Sequence, residues 1–135
     1  GKTAIAVEGP EPAFKLRHAE MVLSKDGSGD GCSDSDTLEN ALEVIRERMP
    51  DLLWIHFCGL RQAGQAHGLY SDEEIEKLSE IDSYLHRIIV AAPSGSLVCV
   101  CSTHGMHPAS GVDPSADFGS LLASDMFVPI WIVQV

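Results

Sequence analysis

Apolar residues fall along this chain in two rhythms, one suited to strands and one to helices. Residues 3–7 (Thr-Ala-Ile-Ala-Val) make a short apolar run that predicts a strand, and Glu8-Gly9-Pro10-Glu11-Pro12 breaks it. Residues 19–23 predict a second short strand. A polar stretch over 24–36, dense in Gly, Ser and Asp, follows. Leu38, Ala41, Leu42, Ile45 and Met49 then recur at helical spacing, which predicts an amphipathic helix over 37–49. Asp36 and Glu39 have the spacing of a capping box at its start, and Pro50 stops it. Residues 52–57 (Leu-Leu-Trp-Ile-His-Phe) are almost continuously apolar, as in a strand covered on both faces. Residues 58–70 contain glycines and predict a loop. Ser71 and Glu74 repeat the capping-box spacing. Ile75, Leu78, Ile81, Leu85, Ile88 and Ile89 then predict a helix to about Ala91, ended by Pro93. Residues 97–101 predict another covered strand and residues 127–135 a last one. The intervening 102–126 stretch is aperiodic and rich in Gly, Pro, Ser and Asp, and long loops of that kind are functional or disordered.

Helices of adequate length alternate with strands of the covered type. This order predicts right-handed βαβ crossovers and an α/β fold, a mainly parallel sheet flanked by helices. The length of 135 residues suits a single domain over 1–135. In open α/β sheets, ligands bind beyond the carboxyl ends of the strands. Two stretches leave such ends, 58–70 and 102–126. Together they hold Arg61, Gln65, His67, Thr103, His104 and His107.

Charge narrows the partners. Nine Lys and Arg against 20 Asp and Glu leave a net charge of −11, which argues against direct nucleic-acid binding, since phosphate contacts need a basic face. No apolar run approaches the roughly 20 residues that span a bilayer, so membrane insertion by this segment is not expected. Four cysteines (Cys32, Cys58, Cys99, Cys101) are too few for a disulfide scaffold and read as buried thiols of a reducing compartment. Asn40 is followed by Ala41 and Leu42 and forms no glycosylation sequon, which with the thiols points to an intracellular protein. Gly1-Lys2 leads straight into the first strand with no cleavage-site pattern and reads as an excised fragment or a processed chain.

The segment His56-Phe57-Cys58-Gly59-Leu60-Arg61-Gln62-Ala63-Gly64-Gln65-Ala66-His67-Gly68 resembles the G-x-D-x-x-G-H-x-x-G motif of the alkaline phosphatase superfamily. The resemblance is to its type I phosphodiesterase/nucleotide pyrophosphatase and ethanolamine-phosphate transferase branch. Ile81-Asp82 fits that group's following helix. Cys101-Ser102-Thr103-His104-Gly105-Met106 resembles its S-D-H-G-M. Asp117-Phe118-Gly119-Ser120, then Met126-Phe127-Val128-Pro129-Ile130, resembles its E-H-G-G and closing V-P strand. The ordered set covers nearly the whole chain and implies the C-terminal part of that superfamily's α/β core.

The resemblance also implies two metal ions, usually zinc, held by Asp and His and activating a Ser or Thr nucleophile. At the positions matching those ligands this chain has Arg61 and Gln65, Thr103 and His104, and Phe118, so His104 alone keeps a ligand type. The matching nucleophile would lie upstream of Gly1. A metal ion needs three or four anionic or imidazole donors, and a fixed guanidinium in place of a carboxylate repels it. The resemblance therefore implies a degenerate, catalytically inactive member, a structural or protein-interaction module whose partner is another protein or the remainder of a parent chain. Two alternatives stand beside it. One is a metal-dependent phosphoester hydrolase or transferase whose nucleophile lies outside this chain. The other is a small-anion or nucleotide-binding module, with Arg61, His67, Thr103 and His104 as the pocket.

Three further patterns carry candidate chemistry. His104 and His107, with Cys101, have the residue types of a rebuilt zinc site, though Gly105 and Pro108 oppose a regular turn there. Residues 26–37 resemble a calcium loop with oxygen donors at positions one, three, five and nine and Gly31 at six, but Thr37 replaces the bidentate Glu at twelve, and a polar connection ending in a helix cap explains the same residues. His56 reads as a satisfied core histidine. Asp82 reads as a buried partner for a backbone or loop group.

Overall fold

The computed structural model describes residues 1–10, 16–25, 33–110 and 115–135. These fall into two compact units. One comprises Gly1–Gly59 and Ser83–Ala92, the other Leu60–Asp82 and Pro93–Val135.

The first unit is built on a three-stranded parallel sheet in the order β2-β1-β3. Its strands are β1 (Ala4–Glu8), β2 (Glu20–Leu23) and β3 (Leu52–Ile55). The register sets Ile5 against Glu20 on one side and against Leu53 on the other. As the middle strand, β1 is covered on both faces: Ile5, Ala6, Val7 and Glu8 are all buried. Helix α1 (Asp34–Glu47) lays Ala41 and Val44 on Ile5 and Val7. Its adjoining stripe, Leu38, Leu42 and Ile45, packs with Tyr84, Ile88 and Ala91 from helix α3 (Asp72–Ala91). The α/β class and the parallel sheet read from the apolar pattern are therefore present. Strand β3 is less covered than its sequence predicts, since Leu52 is exposed and Leu53, Trp54 and Ile55 are half-buried.

The start of α1 differs from the capping-box expectation. The helix begins at Asp34 with Ser33 as N-cap and no side-chain capping bond, so Asp36 sits inside the first turn. The reason lies with Asp34, whose carboxylate oxygens accept the Cys58 and Gly59 backbone N–H groups at 2.9 and 3.0 Å. Satisfying two buried amides beyond β3 outweighs a local cap. Half of the second capping box is present: the Glu74 N–H donates to Ser71 Oγ at 3.2 Å, while the Glu74 carboxylate accepts the N–H of Tyr70 rather than that of Ser71.

The second unit holds helix α2 (Gly59–His67) from Leu60 onward and the first half of α3. It also holds β4 (Leu97–Cys101), the two-residue strands β5 (His107–Pro108) and β6 (Ala116–Asp117), the short helix α4 (Ala123–Met126), and β7 (Ile130–Gln134). Strands β4 and β7 pair antiparallel, with Cys99 opposite Ile132. Helix α2 corrects the loop expected over 58–70. Glycine density suggested a loop, but Gly64 serves packing within a helix: a Cβ there would come 3.0 Å from both a Glu74 carboxylate oxygen and the Met106 methyl.

The cysteines correct another expectation. Cys58 is buried and disulfide-bonded, while Cys99 and Cys101 are free and exposed on β4. No helix among the described residues is long and apolar enough to cross a membrane.

Candidate functional site

In the second unit, three elements converge after β4. The chain leaves Cys101 through Thr103 and His104 to β5, whose His107 pairs with Asp117 of β6. That pairing brings the next residue, Phe118, back onto His104. The two rings stack with centroids 4.2 Å apart and planes 16° from parallel. Arg61, one turn into α2, places its guanidinium carbon 5.8 Å from the Phe118 ring centre. An Arg–Phe–His group thus forms at three positions that the sequence motifs single out. Offset ring stacking and a cation over an aromatic face each stabilise such a group by roughly 0.5–1.5 kcal/mol.

A second constellation lies beside it. Gly105 meets the residues around α4 at backbone distance: a Cβ at Gly105 would sit 1.7 Å from the Ser124 carbonyl oxygen. The Gly105 N–H donates to the Asp125 carbonyl at 2.9 Å. This close approach delivers the buried Asp125 side chain to His107, whose Nδ1–H donates to its two oxygens at 2.8 and 3.1 Å. The Ser120 N–H adds a bond of 2.7 Å. Burial alone would push the Asp125 carboxyl up, but the hydrogen bonds from Ser120 and His107 outweigh it and hold the group down at about 2. His104 is fixed similarly, its Nδ1–H donating to the Gly105 carbonyl at 2.8 Å. Each imidazole thus carries a proton on Nδ1.

The other sequence candidates are placed less centrally. Gln65 lies one turn beyond Arg61 on the same helix, half-buried, and Thr103 is exposed beside His104. His67 stands at the far end of α2, with Nδ1 3.8 Å from Glu73 Oε1. Asp82 is exposed on α3 and so is not the buried partner expected of it. His56, in the first unit, is mostly covered and lies 3.7 Å from a carboxylate oxygen of the fully buried Glu8. Most of the calcium-like stretch lies outside the described residues, and Asp34 at its edge directs both oxygens to backbone amides. Asp125 and Glu8 escaped the sequence reading, and Asp34 entered it only as a donor of the calcium-like stretch. Their partners His107, His56 and Cys58, respectively, are distant in the chain.

The donor set around Arg61 does not fit a zinc pair. Arg61 is cationic, Phe118 offers no lone pair, and His104 is a single imidazole, whereas zinc takes three or four such donors. Among the described residues no group of three or more His, Cys, Asp or Glu is arranged to hold a metal ion.

Comparison with known proteins agrees with the motif order. A sequence model of the type I phosphodiesterase / nucleotide pyrophosphatase family matches residues 15–128. The catalytic subunit of human GPI ethanolamine phosphate transferase 3 is 32% identical over 95 residues, which cover 70% of this chain and 8% of that protein. The mouse protein of the same name is 30% identical over 73 residues, covering 54% of this chain and 7% of its own length. The chain thus spans less than a tenth of the length of these relatives. No solved structure matches.

Proposed function

Because the chain belongs to the type I phosphodiesterase / nucleotide pyrophosphatase family over residues 15–128, we propose that it is a member whose metal-ligand positions have been converted into a packed stack and which turns over no phosphoester. It serves as a structural or protein-interaction domain of a longer polypeptide. The observation that carries this reading is the contact of Arg61, Phe118 and His104. Residues that had merely lost their ligands would be free to diverge in position. Here three of them meet and stabilise one another through a ring stack and a cation–π contact.

The test is metal analysis of the purified chain together with hydrolysis of bis(4-nitrophenyl) phosphate and nucleotide substrates with added zinc. The expected result is substoichiometric zinc and no turnover. Stoichiometric zinc with turnover lost in His104→Ala would overturn the reading and favour a hydrolase or transferase completed by a nucleophile elsewhere.

One observation favours a second reading, a small-anion site. Arg61 is half-buried yet makes no hydrogen bond or ion pair with a described residue, in a chain with 20 acidic residues. A guanidinium held flat against a ring keeps its N–H edge available to an oxyanion. Thermal shift with phosphate and sulfate separates the readings. Stabilisation lost in Arg61→Ala supports an anion site, and identical shifts in both proteins remove it.

A further inference from the structure

Strand β4 carries Cys99 and Cys101 two residues apart, so both side chains leave the same face of the β4–β7 ribbon. Both thiols are free and exposed. The antiparallel register sets them opposite Ile132 and Ile130, which are 60% and 65% exposed, so two thiols stand within an open apolar face.

Strand geometry decides what such a pair can do. Residues two apart on a strand have Cα atoms about 6.7 Å apart. That is the upper edge of the roughly 4.4–6.8 Å range of disulfides, and the side chains stand side by side rather than converging. Bringing two sulfurs to a bond of about 2.05 Å is therefore strained. A bridging ion relaxes the demand, since two metal–sulfur bonds of about 2.3 Å let the sulfurs stay roughly 4.6 Å apart. Two thiolates with no third or fourth His, Cys, Asp or Glu arranged among the described residues suit a soft ion content with linear, two-coordinate sulfur ligation. They do not suit zinc, which closes a tetrahedron.

We propose that Cys99 and Cys101 form a two-thiolate site for a soft monovalent cation, Cu(I). On binding, each thiol gives its proton to solvent, two copper–sulfur bonds form, and no oxidation state changes. The site is separate from the Arg61–Phe118–His104 group and does not depend on the function proposed for it.

The experiment is anaerobic titration of the whole chain with Cu(I) against a chromophoric Cu(I) chelator. Ascorbate is the reductant, so that the Cys58 disulfide stays closed. One Cu(I) per chain is expected, with copper–thiolate charge-transfer absorption in the near ultraviolet. Cys99→Ser and Cys101→Ser should each weaken binding at least 100-fold. Both changes are conservative and lie at exposed positions, and circular dichroism verifies their folding. Full affinity in either single variant, or in the double variant, would overturn the site. So would displacement of the bound Cu(I) by an equimolar amount of zinc.

Discussion

Substituting Gly105 by alanine probes the contact on which the second unit's site depends. Gly105 lies outside the left-handed φ region, where Gly68, Gly95 and Gly119 fall, so its backbone angles alone tolerate alanine. On chain entropy, the change would then stabilise by roughly 0.4–1 kcal/mol. The structure reverses the sign. A Cβ placed 1.7 Å from the Ser124 carbonyl must retreat by about as much again to reach ordinary contact. That movement breaks the 2.9 Å bond from the Gly105 N–H to the Asp125 carbonyl. Overpacking of this kind costs about 1–3 kcal/mol and the lost bond about 0.5–1.5 kcal/mol. A net loss of about 1–4 kcal/mol, centred near 2, should lower Tm by roughly 4–15 °C. The assay is thermal unfolding by far-ultraviolet circular dichroism, with amide exchange measured on peptides spanning 101–110 and 119–127. Gly95→Ala is the control. It meets nothing within 4 Å but has φ +89°, so it carries only a backbone cost of about 1–2 kcal/mol. A Gly105→Ala protein as stable as wild type, or no less stable than Gly95→Ala, would refute the reasoning.

Three other outcomes are expected. Asp125 titrates at about 2 when folded and at 3.8 in its ordinary state, so the unfolded chain takes up the proton first. Its contribution is complete above about pH 5 and lost as pH falls through 2. Urea unfolding across this range should therefore show a steeper acid loss for wild type than for Asp125→Asn, and parallel curves would contradict the assignment. Asp34→Ala leaves the Cys58 and Gly59 amides without their carboxylate and should cost about 2–4 kcal/mol in urea unfolding followed by far-ultraviolet circular dichroism. Asp34→Asn, which keeps one acceptor oxygen, should fall between. Leu38→Ala empties a position that is 1% exposed and should cost about 2–5 kcal/mol in the same assay, and a loss under 1 kcal/mol would argue against the cluster around Ile88.

Elements governed by local periodicity were legible in the sequence. The strands of the parallel sheet, α1, α3 and β4 all lie close to the positions that apolar spacing predicts. Helix α2 was not legible, because Gly64 lies against Met106 and Glu74 inside a helix, and glycine in a sequence marks packing and turning alike. The exposure of β4 was also hidden. Val98, Val100 and the cysteines make the same continuous run whether or not anything covers them. At the site, motif order singled out Arg61, His104 and Phe118, and the structure brings those three together. Asp125 could not be found that way. Its role depends on a backbone approach at Gly105 and on a two-residue strand pairing, neither of which leaves a periodic trace.

Helix α3 gives its first half to one unit and its second half to the other. The Ile88 that completes the Leu38, Leu42 and Ile45 cluster is separated from Leu38 by strand β3, helix α2, most of α3 and their connections. During synthesis the sheet and α1 emerge well before their cover does. Until α3 is released, that stripe of α1 remains a sticky surface, and closing so long a loop is an entropic step that slows folding. A truncated chain released at residue 60 should consequently bind chaperones that one released at residue 95 escapes.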